Sequence, residues 1–154
     1  MSKNILSTVS YPVLTNRYLL AIEKYDEAAL QLCRIIDDET YQSREGTTKH
    51  QLWMKLLNII VKQAHQISSI KVEHILRNGI QTFTEESGRW WCALAEYYNR
   101  LNNNEKARDI YEEAIQSVIS VRDFSMVYDA YVQSEMRFLE ILIENVQTVD
   151  ECKR

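Results

Sequence analysis

The chain has 154 residues, 45% apolar and 26% charged, which fits one soluble globular domain with a real core. Three glycines and one proline are too few for the turns of a many-stranded architecture, so long helices joined by short polar loops are expected. The net charge is −4 and the basic residues are scattered, so the basic stripe of a phosphate-gripping protein is missing and RNA contact is not indicated by charge.

Residues 1-12 read as a terminal tail without signal-peptide character, since Ile5-Leu6 is interrupted by Ser7 and Thr8 and Pro12 follows. Asp26 is placed to cap a helix carrying Ala28, Leu32, Ile35 and Ile36. A break from Glu39 to Lys49 precedes a helix over His50–Ala64, whose apolar face is Trp53, Leu56, Leu57 and Ile60. Ser69 can cap a helix with Val72, Ile75, Leu76, Gly79, Ile80 and Phe83 on one face. Ser87-Gly88 opens the next, with Trp91, Leu94, Ala95, Tyr98 and Leu101 inward. The clearest periodicity runs from Asn104, a candidate cap, to Ser120 through Ala107, Ile110, Tyr111, Ala114, Ile115, Val118 and Ile119. A last long helix begins after Asp123 and bears Phe124, Val127, Tyr128, Tyr131, Val132, Leu139, Leu142 and Ile143. A single repeat domain is expected over 13-145, leaving 146-154 as a second tail.

Large aromatics open successive first helices at Tyr18, Trp53, Trp91 and Tyr128, at spacings of 35, 38 and 37 residues. Such a period signals repeated helix pairs, each burying its apolar face on its neighbours. The third unit carries the tetratricopeptide pattern across both helices, with Trp91, Leu94, Ala95 and Tyr98, then Ala107, Tyr111 and Ala114. Small Ala95, Ala107 and Ala114 allow close helix approach, while Trp91, Tyr98 and Tyr111 fill the space between hairpins. The expected fold is all-α: a right-handed α-α superhelix of about four antiparallel helix pairs, a solenoid of the HAT/TPR-like kind.

Nothing in the chain marks a catalyst, cofactor or small-molecule substrate site. His50, His65 and His74 lack metal-ligand spacing, and neither a nucleophile elbow nor a phosphate loop is present. Cys33, Cys92 and Cys152 are far apart and odd in number, which suits reduced thiols in a reducing compartment. The apolar runs are too short to span a membrane. Packing absorbs Trp53, Trp91, Leu94, Ala95, Tyr98, Ala107, Ile110, Tyr111, Ala114, Tyr128 and Tyr131. Glu135 falls on the apolar stripe, where a carboxylate needs a Tyr hydroxyl or an Arg as partner. Arg108 and Glu112 read as an i,i+4 pair on a solvated outer face. Trp90 is rotated about 100° from Trp91, leaving it either against a neighbouring repeat or on a partner surface.

Two segments narrow the class. Tyr128-x-x-Tyr131 followed by Glu135, and Ala107-Arg108-Asp109-Ile110-Tyr111-Glu112-Glu113-Ala114-Ile115, resemble the two helices of the HAT (half-a-TPR) repeat. With Ile75–Ile80, Trp91–Tyr98 and Val121-Arg122-Asp123-Phe124, the stretch is similar to the middle repeats of the Syf-type pre-mRNA-splicing factors (XPA-binding protein family). The resemblance covers roughly Arg17 to Glu135 and stops after Glu135. It implies a nuclear, non-catalytic scaffold of the spliceosome's nineteen complex, meeting other splicing proteins and further HAT repeats, with a link to transcription-coupled repair in animals. Family members are several times longer, so the chain reads as a fragment or a truncated member. Two other readings stay open: a cytosolic TPR-type adaptor for a short peptide, which needs clustered basic and amide residues where Asn99 and Arg100 alone fall short of a clamp, and a direct RNA-binding repeat protein.

Overall fold

The computed structural model describes residues 11–42 and 46–153, and among these the secondary structure is wholly helical. The helices are α1 (Tyr11–Ala21), α2 (Tyr25–Asp37), α3 (Lys49–Lys62), α4 (Val72–Thr82), α5 (Ser87–Arg100), α6 (Asn104–Ser117) and α7 (Val121–Cys152), with short 3-10 turns at Ala64–Gln66 and Thr84–Glu86. They fall into two compact units that divide at Ile75/Leu76, inside α4. Most of the 1-12 tail lies outside the described residues, and α1 already includes Tyr11 and Pro12.

In the first unit, α1 and α2 form a hairpin. Its turn puts Glu23 at φ 60°, and the Lys24 amide donates to Leu19 O at 2.9 Å. Asn16, almost fully buried, uses its side-chain amide to donate to Ala28 O at 2.8 Å, which satisfies a polar group inside the hairpin. Ala28, Ala29, Leu32, Ile35 and Ile36 form the inner face of α2, and Leu52, Leu56, Leu57, Ile59 and Ile60 that of α3. Thr48 and Gln51 close a capping box at the start of α3, while the Lys49 ammonium donates to Ile36 O near the carboxyl end of α2.

Asp26 does not cap its own helix. It sits in the first turn of α2, and its carboxylate accepts from the amides of Ser68 and Ser69, both at 2.9 Å, and from the Ser69 hydroxyl. A residue expected to act locally therefore ties down the segment after α3, and Ser69 is spent there rather than as a cap, α4 starting only at Val72. These bonds, the Ser69 hydroxyl first, hold the Asp26 carboxyl below the ordinary carboxylate range. A lowered folded-state value means the latch contributes stability fully above about pH 4 and loses it as pH falls through the lowered value. Asp26→Asn is expected to cost about 1 kcal/mol at neutral pH and to remove this share of the acid sensitivity. Urea unfolding between about pH 6 and about pH 3 reads both effects.

In the second unit, α5 and α6 pair across the Leu101–Asn103 turn, where Asn102 takes a left-handed φ of 58°. The α6 cap is Asn103, whose side chain accepts from the Lys106 amide, rather than Asn104. Helix α6 ends at Ser117, earlier than the periodicity suggests, so Ile119 stands fully in solvent. Ser120 accepts from the Asp123 amide at 3.0 Å and starts α7 at Val121, three residues earlier than expected. Helix α7 packs on both α5 and α6 and then runs on to Cys152. Among the described residues the fourth unit is thus present as one unbroken helix, α7.

Candidate functional site

The repeat residues of the second unit assemble mainly as its interior. Trp91, Leu94 and Ala95 on α5 and Ala107, Ile110, Tyr111 and Ala114 on α6 are all buried. Ala95 and Ala114 have no exposed surface, as expected where two helices approach closely. Tyr98 is half-buried with Tyr97 edge-on to it at 5.2 Å, and the Lys106 ammonium lies 5.9 Å above its ring. Tyr111 stacks on Tyr131 of α7, centroids 5.2 Å apart and planes 13° off parallel, joining α6 to α7. Trp53, in the first unit, is half-buried.

Polar groups make the second link between α6 and α7. Arg108 donates through Nε and Nη2 to the two oxygens of Glu135, at 3.0 and 2.9 Å. The Tyr131 hydroxyl donates to Glu112 at 3.2 Å. The face is solvated as expected, but the direct Arg108–Glu112 pair is replaced: both side chains bond to α7, whose carboxylate and phenol offer partners across the helix interface. A forked two-bond contact outweighs a solvated i,i+4 pair. On the same flank, Asn99 donates to Ser134 at 2.9 Å, and Arg137 and Arg100 both reach Glu96 at 3.2 Å. No sequence spacing announces these contacts, since their partners lie 19 to 41 residues apart except for Arg100.

Of the two places expected for Trp90, against a neighbouring repeat or on a partner surface, the first holds and the second does not. It has no exposed surface, so it is not a partner surface. Its ring stacks on Phe83, centroids 5.4 Å apart, and lies where a Cβ on Gly79 would collide with it. The 100° rotation from Trp91 does not point it at solvent, because a second apolar face of α5 receives the carboxyl end of α4. Trp91 takes the other side, with the Arg77 guanidinium 5.6 Å above its ring and Arg77 held by two bonds of 2.9 Å to Glu113. Gly79 is the signal that was available in the sequence: a glycine on an apolar helical stripe marks close approach.

Asp123, a helix boundary and part of the Val121–Phe124 segment in the sequence, is buried. Its Oδ2 accepts from the Ser87 hydroxyl at 3.4 Å, and the Arg122 guanidinium is 3.6 Å from Oδ1. Arg122 also donates to Glu85 O at 2.9 Å. Gly88 makes this possible, since a Cβ there would lie 2.8 Å from that of Asp123. The Val121–Phe124 segment is thus the joint that seats α7 on the amino end of α5. The carboxylate stands near the positive end of that helix.

Tyr128, expected in the packing, is half-exposed on the outer side of α7 and stacks only on Phe124, at 6.2 Å. Nothing among the described residues covers that side. Cys33 and Cys92 are half-buried, and burial pushes both thiols up to about 11, so they are protonated and unreactive near neutrality. No described helix is long and apolar enough to cross a membrane.

Short helices whose aromatic and small residues recur in register and are used mainly in packing define a helical-repeat protein. The chain belongs to the family described as the pre-mRNA-splicing factor SYF1 middle HAT repeat, whose model matches residues 16–154. The match corrects the expectation that the resemblance stops at Glu135: α7 to its end is family sequence. The chain is 44% identical over 129 residues to the Drosophila melanogaster pre-mRNA-splicing factor syf1 homolog, an alignment taking in 84% of the chain and 15% of that protein. It is 41% identical over 127 residues to Homo sapiens pre-mRNA-splicing factor SYF1, covering 82% and 15%. For Dictyostelium discoideum SYF1 the figures are 38% over 118 residues, 77% and 14%. The chain therefore spans about one seventh of the length of these relatives.

Proposed function

We propose that this splicing-related repeat protein is a non-catalytic scaffold that holds other proteins together during pre-mRNA splicing, in the nucleus and within the nineteen complex. One observation carries the reading. The repeat-pattern aromatic and polar groups of the second unit are spent mainly on packing, while large apolar side chains remain on the outside of its last helix. Leu139, Leu142, Ile143 and Val146 are each more than two-fifths exposed. Exposed apolar faces of this size mark protein contact.

The two other readings find less support. The peptide-clamp candidates Asn99 and Arg100 are already bonded to Ser134 and Glu96. Trp90, Trp91 and Tyr111 are buried and offer RNA no stacking face, which leaves only Tyr18, Phe124 and Tyr128 exposed among the large aromatics of the described residues, and no basic stripe runs beside them in the sequence. The test is affinity capture from nuclear extract with the tagged 154-residue chain. Retention of splicing proteins after ribonuclease treatment is expected; recovery of none would overturn the proposal, and recovery only with intact RNA would favour the RNA reading.

A further inference from the structure

The end of the second unit where α4 and α6 finish and α5 and α7 begin holds a cavity of about 330 Å³. Ile80, Ser87, Trp91, Ser117 and Asp123 line it, so four helices of one unit border it. Asp123 is only 2% exposed, yet one of its two oxygens is left over. Oδ2 accepts from the Ser87 hydroxyl, whereas Oδ1, also buried, receives no hydrogen bond from the described residues. Arg122 does not fill the gap: its Nη2 stops 3.6 Å from Oδ1 and donates to Glu85 O at 2.9 Å. A buried acceptor without a donor costs free energy, and a donor entering the cavity would remove that cost.

Two hydroxyls on the same walls add acceptors rather than donors. Ser87 gives its hydrogen to Asp123, and Ser117 gives its own to Glu113 O at 2.7 Å, so both keep only lone pairs. The charged residues lining the cavity are two carboxylates, buried Asp123 and exposed Glu85, against which Arg122 sets one positive charge. Trp91 and Ile80 supply apolar wall. We infer that the cavity receives a lysine side chain of a partner protein, its stem along Trp91 and Ile80 and its ammonium on Asp123 Oδ1. An ammonium has three donors, no acceptor and no preferred plane, which matches acceptors arriving from α5, α6 and α7. A guanidinium holds its donors in one plane and would crowd the guanidinium of Arg122. This inference rests on the scaffold reading and names one residue that a partner presents to it.

The probe is acetyl-lysine-methylamide, titrated into the isotope-labelled 154-residue chain and followed by amide chemical shifts. Saturable shifts at Ser87, Ser117 and Asp123 are expected at about 1–10 mM. The norleucine analogue, which lacks the ammonium, should bind at least about tenfold more weakly. Asp123→Asn is expected to erase that preference. Ser117→Ala, at an exposed position, removes one acceptor and should weaken the lysine probe about threefold. It keeps the test decisive where Asp123→Asn loosens the seat of α7. Equal binding of the lysine and norleucine probes, no saturation, tighter binding of the arginine analogue, or an unchanged affinity in Ser117→Ala would each overturn the inference. In the nuclear-extract capture, saturating lysine probe is expected to release at least one retained protein that the norleucine analogue leaves bound. The two claims fail separately: if splicing proteins are captured by a chain that does not bind the probe, the lysine site falls and the scaffold stands. If the probe binds and no splicing protein is captured, the scaffold falls and the partner with it.

Discussion

Trp90→Ala is expected to destabilise the second unit by about 3–5 kcal/mol. The indole has no exposed surface, stacks on Phe83 and fills the space opened by Gly79. Removing it loses the transfer free energy of a large ring and leaves a cavity that a helix lacking a Cβ at Gly79 cannot refill. Trp90→Phe retains part of the ring and should fall between. Urea unfolding monitored by far-ultraviolet circular dichroism gives the difference. A loss below about 1 kcal/mol would show that the site is loosely packed and that α4 does not seat on α5 through it.

The second large effect is expected at Tyr111. Tyr111→Ala should cost about 3–5 kcal/mol, because the ring is 2% exposed and is half of the stack that joins α6 to α7. Tyr111→Phe should stay within about 1 kcal/mol of the parent chain, since it keeps both the buried area and the stack. The two variants together separate ring packing from any role of the hydroxyl. Tyr131→Ala, which removes the other ring at a half-buried position, should cost less than Tyr111→Ala. Measuring all three also tests whether α7 unfolds with its unit: if the stack matters, amide exchange in the first half of α7 should quicken in Tyr111→Ala and Tyr131→Ala alike.

Much of the repeat was legible before any coordinates. The recurrence of aromatics near every 37 residues and the small residues at Ala95, Ala107 and Ala114 state helix pairing directly, because helical period and side-chain volume are local properties. Element edges were less legible. Asn103 rather than Asn104 caps α6, and Ser120 rather than Asp123 starts α7, because several polar residues compete at each boundary and only backbone geometry selects one. The partners of Arg108, Asp26 and Asp123 were not legible at all, being residues remote in sequence.

The sequence by itself determined the all-α repeat class, the register of Trp91, Tyr111 and Tyr131, and the membership of the splicing-factor family. Those follow from patterns that repeat along one chain. Tertiary structure alone decided which side of a two-faced helix is covered. It buried Trp90 beneath α4, left Tyr128 in solvent, and turned Arg108 from its neighbour Glu112 to Glu135. The physical reason is that periodicity reports that a face is apolar, whereas burial depends on which other element arrives to cover it. On the far half of α7, none of the described residues does.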